Sequence, residues 1–468
     1  MKENIKLASV SFLIMVSLLV YPTFAQKSLQ VKVDEYIKSE MQKQKIPGVS
    51  LAIIRDGKAI YTKGYGYANV ENQVPVKLET IFQSGSVGKP FTVMAIMILV
   101  EEGKIGLNDK LNKYFLDAPA EWSNITVRHL LTHTSGMTGY PEDFNFRSDY
   151  TEEDLYNQIK KSPLAFKPGE IRGYSNLGYV LLGILIRKVT GKFYGDFLRE
   201  RIFTPLEMNT ARVISEADII ANRASGYRLD RGELKNQEWV SPSINTTADG
   251  ALYLSTLDMA KWEAALNGGK LLQRTSFDAM WTQIILNNGR PQPWGFSWQI
   301  ENLYGKQIIE HTGGWQGFVS TITRFPEEKL AVIVLANLRG VNPQKLARGV
   351  LEIYQPELSI AGAQPIEDKE PKVTAFLKEI LQKIIEKKLT PELFSSPAGN
   401  EILAYSEEAS TEFKSMGKLR SIELLERQES GSGARVYAYR LTYDSSKVVL
   451  TFGLAKDDRL DSIELRRY

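Results

Sequence analysis

The chain has 468 residues, 43% of them hydrophobic, enough for two or three packed domains and unlike a disordered chain. Fifty-eight basic against 55 acidic residues leave a net charge of +3 with no long basic run, which excludes nucleic acid as an expected partner. Cysteine is absent, and with it go disulfides, thiolate metal sites and a lipid-bearing cysteine.

Lys2 and Lys6 precede an apolar stretch from Leu7 to Val20, and Thr23-Phe24-Ala25 supplies small residues at a cleavage position. Residues 1–25 therefore read as a secretory signal peptide, the protein as exported, periplasmic or secreted, and no later segment as a membrane span. A helix is expected over residues 31–44. Val49 to Ile54 and Ala59 to Tyr61 flank Asp56-Gly57 and read as a β-hairpin.

Phe82-Gln83-Ser84-Gly85-Ser86-Val87-Gly88-Lys89-Pro90-Phe91-Thr92 runs into the apolar Val93 to Val100 and reads as the mouth of a buried helix. Ser86 and Lys89 are three residues apart on one helical face, so a hydroxyl can meet a base where unpaired N–H groups favour an oxyanion. Gln83 and Pro90 rule out a phosphate loop. Ser-x-x-Lys alone is weak, since Ser415 and Lys418 repeat it without glycines or an apolar run, and Ser84 or Ser86 could simply be an N-cap. Pro90 breaks the helical rules four residues after Ser86, as happens at functional sites or where a 3₁₀ turn leads into a helix.

Residues 126–200 form a helical insertion, with helices expected from Val127 to Leu131, Glu152 to Lys160, Leu177 to Val189 and Tyr194 to Ile202. His129 and His133 have a spacing that can bind zinc, but no glutamate lies between them and only His311 is left to join them. Local hydrogen bonding or capping is the better reading, and no metal or other cofactor is assigned. Tyr174 and Asn176 sit where a loop leads into the helix from Leu177; a phenol can exchange protons and an amide can orient a substrate. Tyr67 and Asn69 show that the same spacing arises by chance.

Residues 240–255, including Asp249-Gly250, read as a loop, and Thr256 to Leu266 and Thr275 to Ile284 as helices. Strands follow at Trp294 to Glu301, Gln307 to Glu310, Val319 to Phe325 and Leu330 to Ala336. With the hairpin of residues 49–61 they are expected to form one antiparallel sheet covered by a helix over 343–353. The strand ending in His311-Thr312-Gly313-Gly314 carries glycines that invite a close approach, and a substrate edge against Gly313-Gly314 fits.

Ser86-x-x-Lys89, Tyr174-x-Asn176 and His311-Thr312-Gly313 in this order resemble the serine β-lactamase and penicillin-binding-protein family, most closely its class C β-lactamase and D-alanyl-D-alanine carboxypeptidase branch. The resemblance covers roughly residues 30–355 and includes Leu130-Leu131-Thr132-His133-Thr134-Ser135-Gly136. It implies an α/β (α+β) fold with an antiparallel sheet flanked by helices and a helical insertion. It also implies Ser86 as the acylated nucleophile, Lys89 as its proton acceptor, Tyr174 as proton relay and Asn176 as the group orienting the substrate amide. Ser86 and Gly314 would supply oxyanion N–H groups, with His311, Thr312 and Gly313 facing the substrate. His311 replaces the lysine of most β-lactamases of this family. An unperturbed histidine is mostly neutral at pH 7, so carboxylate binding should be weaker or pH-dependent.

Residues 355–371 read as a polar, proline-bearing linker between a 26–354 hydrolase domain and a 372–468 domain. In the latter, an apolar stripe from Val373 to Ile385 precedes β-like runs near 419–427, 435–443, 447–454 and 460–467. This small α+β domain vaguely resembles nuclear-transport-factor-like or cystatin-like folds, with gating, dimerisation or docking open to it. The expected activity is that of an exported serine hydrolase working through an acyl-enzyme on D-amino-acid peptides, amides or esters. A β-lactamase and a non-turnover recognition protein are the alternatives.

Overall fold

Asp56 and Gly57 both have positive φ, 51° and 71°, the mirror-image turn that suits the twist of two paired strands. They join Gly48–Arg55 to Lys58–Asn69 in the expected hairpin. The computed structural model describes residues 28–467 apart from 290, 304, 360–361, 396–402, 404–405 and 430–432; residues 1–25, expected from sequence to be a signal peptide, lie outside the described residues.

The hairpin belongs to a seven-stranded antiparallel sheet in the order Val74–Pro75, Lys58–Asn69, Gly48–Arg55, Leu330–Ala336, Phe318–Phe325, Lys306–Trp315, Gln299–Leu303. Segments nearly 300 residues apart thus meet at its centre, where Leu51 pairs with Val334. All of Leu330–Ala336 is buried, which explains its unbroken apolar run. On one face Val49, Leu51, Val332 and Val334 pack with Val33 and Ile37 of the helix over 28–44 and with Leu346 and Val350 of Pro343–Tyr354. On the other, Ala52, Ile54, Ile333 and Leu335 join the main core with Met259 and Trp262 of Thr256–Gly268.

One ion pair is fully buried in this core. Arg324 Nε lies 2.6 Å from Glu263 Oε2, both side chains being 1% exposed, and the guanidinium lies over the Trp281 ring. Such a pair holds only while both partners and their hydrogen bonds are present.

The insertion contains Val127–Leu131, Glu152–Lys161 and Asn176–Thr190, capped by Thr126, Thr151 and Ser175 through side-chain oxygens that accept backbone N–H groups. Four expectations need correction. Regular helix stops at Leu198 and Arg199–Phe203 continues as a π turn. The helix from Arg274 ends at Met280, and pairing at the sheet edge begins at Gln299 rather than Trp294. Residues 240–255 contain more than loop, because Leu252–Leu254 lies between Phe82–Gln83 and Arg212–Val213 in a small sheet.

The C-terminal β-rich domain is a four-stranded meander, Leu419–Glu429, Arg435–Tyr443, Lys447–Leu454 and Leu460–Arg467. Leu377, Ile380, Leu381 and Ile384 of Pro371–Ile385 and Phe413 of Ser406–Ser415 pack with Tyr437, Tyr439, Leu450 and Phe452 in a core of their own. The segment expected to be a linker is itself attached to this sheet. Ala363 packs with Leu425, Ala438 and Val449, and its carbonyl accepts from Arg440 Nη1 at 2.8 Å.

Candidate active site

Ser86 lies on a 3₁₀ turn, Gly85–Gly88, that runs directly into Lys89–Glu101. The helix is apolar on all sides and buried from Lys89 to Leu99, which fixes its mouth inside the molecule. Pro90 falls in the first helical turn, where its missing N–H costs nothing, while Lys89 N–H bonds the Ser86 carbonyl. Neither serine caps this helix: Gly88 holds the N-cap position, and Ser84 Oγ donates instead to the Gly250 carbonyl at 2.8 Å.

The turn is clamped between two backbones. A Cβ on Gly313 would lie 2.0 Å from Ser84 O, and one on Gly250, at φ +149°, would lie 2.4 Å from Gly85 O. The close approach that the strand glycines invite is therefore made, at Gly313, by the turn that carries Ser86. Gly314 differs: a Cβ there meets nothing within 4 Å, so its outer side is open to a ligand.

Lys89 is 0% exposed and has three oxygen partners, Ser86 Oγ at 3.0 Å, Asn176 Oδ1 at 2.8 Å and the Asp249 carbonyl at 2.5 Å. Two are pure acceptors and take two N–H donors. The third, a hydroxyl, can accept from the amine or donate to it, so Ser86 Oγ lies within proton-transfer reach of Lys89 Nζ.

Asn176 is the first residue of its helix, behind the Ser175 cap, so its amide is held by the helix start. Behind that cap stands buried His133, at φ +58°, whose Nδ1 accepts the Ser175 N–H at 3.0 Å. Burial, with Lys89, His311 and Arg172 nearby, drives its pKa well below the ordinary value, so it is a neutral ring. His129 Nδ1 accepts the Thr126 N–H at 3.2 Å, so both histidines serve local hydrogen bonds.

Tyr174 stacks on His133 with ring centres 4.3 Å apart, and Lys89 Nζ lies 4.9 Å from its ring centre. Among the described residues, no hydrogen bond joins its hydroxyl to Ser86 or Lys89. Trp294 stands edge-on to Tyr174 and close to His311, with centres 6.2 and 5.9 Å away. His311 is 3% exposed; burial first, then Lys89, pushes its pKa down from 6.5 to about 3. Its Nδ1 lies 2.6 Å from the Thr312 carbonyl, which can only accept, so Nδ1 carries the hydrogen and the unpartnered Nε2 is a lone-pair acceptor.

A crevice of about 40 Å³ brings Ser86, Asn176 and Gly314 together with Asp249, Thr247 and Trp315. Thr312, Gly313 and Gly314 also line an adjoining groove of about 800 Å³ with Trp239, Arg147 and Arg339. Trp294 and Asp249 are site residues that motif reading passed over, and His133 was singled out only for its spacing to His129 and as part of the Leu130–Gly136 stretch. Only the Asp-Gly pair in a run of small polar residues hinted at Asp249.

A family model described as Beta-lactamase matches residues 33–355. The chain belongs to the beta-lactamase family. Within that family it is 31% identical over 314 residues to penicillin-binding protein 4* of Bacillus subtilis, covering 63% of this chain and 69% of that protein. It is 30% identical over 330 residues to protein flp of Staphylococcus aureus, covering 68% and 65%. The unguisins hydrolase ungD' of Aspergillus campestris is 29% identical over 331 residues, covering 65% and 60%, so this chain spans less than two thirds of the latter two proteins. Among solved structures, the octameric penicillin-binding protein homologue from Pyrococcus abyssi matches with a TM-score of 0.62 and 26% identity, covering 93% of this chain and 98% of that one. No helix among the described residues is long and apolar enough to cross a membrane.

Proposed function

We propose that this family member is an exported serine hydrolase that forms an acyl-enzyme on D-amino-acid peptides, amides or esters, in the manner of the D-alanyl-D-alanine carboxypeptidase and class C branch. The observation that carries this reading is the set of three oxygens around Lys89: two fixed acceptors leave the amine's third direction to Ser86 Oγ, 3.0 Å away. In this reading Lys89 takes the hydroxyl proton as Ser86 attacks the carbonyl carbon, and returns it to the leaving group as the tetrahedral intermediate collapses. The N–H groups of Ser86 and Gly314 receive the oxyanion, a contribution of ~10²-fold or more per donor. Asn176 orients the substrate amide while holding Lys89. Tyr174 closes over the amine through its ring, and its hydroxyl relays the proton when substrate draws it inward.

His311 favours peptides and esters over β-lactams. A neutral imidazole whose one hydrogen already goes to Thr312 O gives a carboxylate neither charge nor donor, leaving Thr312 as the polar group there. Export rests on the signal-like residues 1–25. The Pyrococcus abyssi likeness covers nearly the whole chain, so we extend the proposal to self-association that includes the C-terminal domain.

A panel of a chromogenic cephalosporin, an acyl-D-Ala-D-Ala peptide and p-nitrophenyl esters tests the reading with wild type and Ser86→Ala. Turnover of the peptide or esters that disappears in Ser86→Ala is expected. Rates equal to the variant's on every compound would leave a recognition protein instead.

A further inference from the structure

We propose that Asp249 is a specificity residue that binds the free ammonium group of the residue whose carbonyl Ser86 attacks, making the preferred acyl donor an unblocked aminoacyl compound. The inference rests on Ser86 being the nucleophile. Among the residues lining the 40 Å³ crevice beside Ser86, Asp249 is the acidic one. It is partly exposed, and among the described residues it forms no ion pair. Its carboxylate is aimed by two hydroxyls, with Thr247 Oγ1 donating to Oδ1 at 2.5 Å and Tyr140 Oη donating to Oδ2 at 3.3 Å. Each oxygen keeps a further lone pair, so the group can accept from a cation without giving up either anchor.

Size narrows the occupant. A crevice of that volume holds about one water, so a cation reaching Asp249 while its carbonyl meets Ser86 must lie close to that carbonyl. An α-ammonium is one carbon away, whereas an N-acylated residue brings neither charge nor the small size. Trp315 also lines the crevice, its Nε1 donating to Asn245 Oδ1 at 2.7 Å, so a small apolar side chain beside the ammonium has an aromatic neighbour.

The backbone of Asp249 serves a different task, its carbonyl accepting from Lys89. Substitution of the side chain separates the two roles, because Asp249→Asn keeps the carbonyl and an acceptor for Thr247. The experiment compares D-alanyl p-nitroanilide with its N-acetyl derivative, reading kcat/KM for wild type and Asp249→Asn alongside thermal midpoints. Wild type is expected to prefer the free amine, and the ratio of the two kcat/KM values is expected to fall by about tenfold in the variant, the worth of one charge-assisted hydrogen bond. An unchanged ratio, or an equal loss on both compounds as a merely structural role would give, overturns the proposal. Should Asp249→Asn fail to fold, a wild-type preference for the N-acetyl compound still overturns it and a preference for the free amine supports it. Ser86→Ala run on the same compounds keeps the two questions apart. Turnover surviving in it would sink the nucleophile assignment, whereas a flat ratio with Ser86→Ala inactive sinks only the role of Asp249.

Discussion

Gly313 and Ser84 touch so closely that a methyl group on Gly313 would stand 2.0 Å from the Ser84 carbonyl oxygen, which also accepts from Ser320 Oγ at 2.5 Å. This contact sets the depth at which the Ser86 turn rests on the sheet. Gly313→Ala must push turn and strand apart, so we expect a stability loss of about 1–3 kcal/mol or more, as for overpacked cores. Activity per folded molecule should fall as well, because Ser86 moves relative to Gly314. Urea melts and active-site titration of the folded fraction measure both, and a variant normal in both would contradict the clamp.

Lys89 is expected to be irreplaceable by a fixed cation. Lys89→Arg keeps the charge but cannot give up its proton, so the acylation rate should fall by ~10²-fold or more. Asn176→Ala removes one of the two oxygens that aim the amine and should slow the same step. A rapid-mixing burst on an aryl ester reads acylation directly. A burst in Lys89→Arg as fast as in wild type would remove the lysine from proton transfer.

His311 should make acid destabilising. Its folded pKa of about 3 lies below the ordinary 6.5, so both states are neutral above about pH 6.5. Below that, the unfolded chain takes a proton that the native state refuses, and stability falls as pH drops toward 3. His133 acts in the same direction. Thermal midpoints between about pH 7 and pH 4 should therefore decline less steeply in His311→Gln than in wild type. In turnover, this imidazole should contribute no inflection near its ordinary pKa; an inflection there that His311→Gln abolishes would contradict a neutral ring.

The buried Glu263–Arg324 pair gives a stability prediction away from the site. Burial raises the Glu263 pKa and Arg324 opposes that rise. Arg324→Met should cost about 3–5 kcal/mol by leaving the buried carboxylate without its cation, and adding Glu263→Met should recover much of it. Losses in urea denaturation that simply add would show that the two residues act independently.

Sheet and insertion were legible because their signals are local: Asp56-Gly57 marks the hairpin, the all-apolar Leu330–Ala336 marks a strand covered on both faces, and apolar spacing marks the helices Val127–Leu131, Glu152–Lys161 and Asn176–Thr190. Ser86, Lys89, Tyr174, Asn176 and His311 could be picked out as a set only through the order of three motifs. What sequence could not carry is the packing between distant segments. His133 looked like a turn residue or a metal ligand, and its place as a platform under Tyr174 and acceptor for Ser175 depends on how the insertion folds back. Asp249 lay in a stretch read as loop, because Leu252–Leu254 is too short to show alternation and is paired only through residues 82–83 and 212–213. The shift of His311 away from an ordinary histidine comes from burial beside Lys89, which no spacing reveals.

The proposed chemistry stands or falls on Ser86. Intact-protein mass spectrometry after reaction with a serine-directed aryl phosphonate tests it most directly, in wild type and Ser86→Ala. A single adduct on wild type that maps to Ser86, with none on the variant, is the predicted result. Equal labelling of both proteins, or of neither, would contradict it.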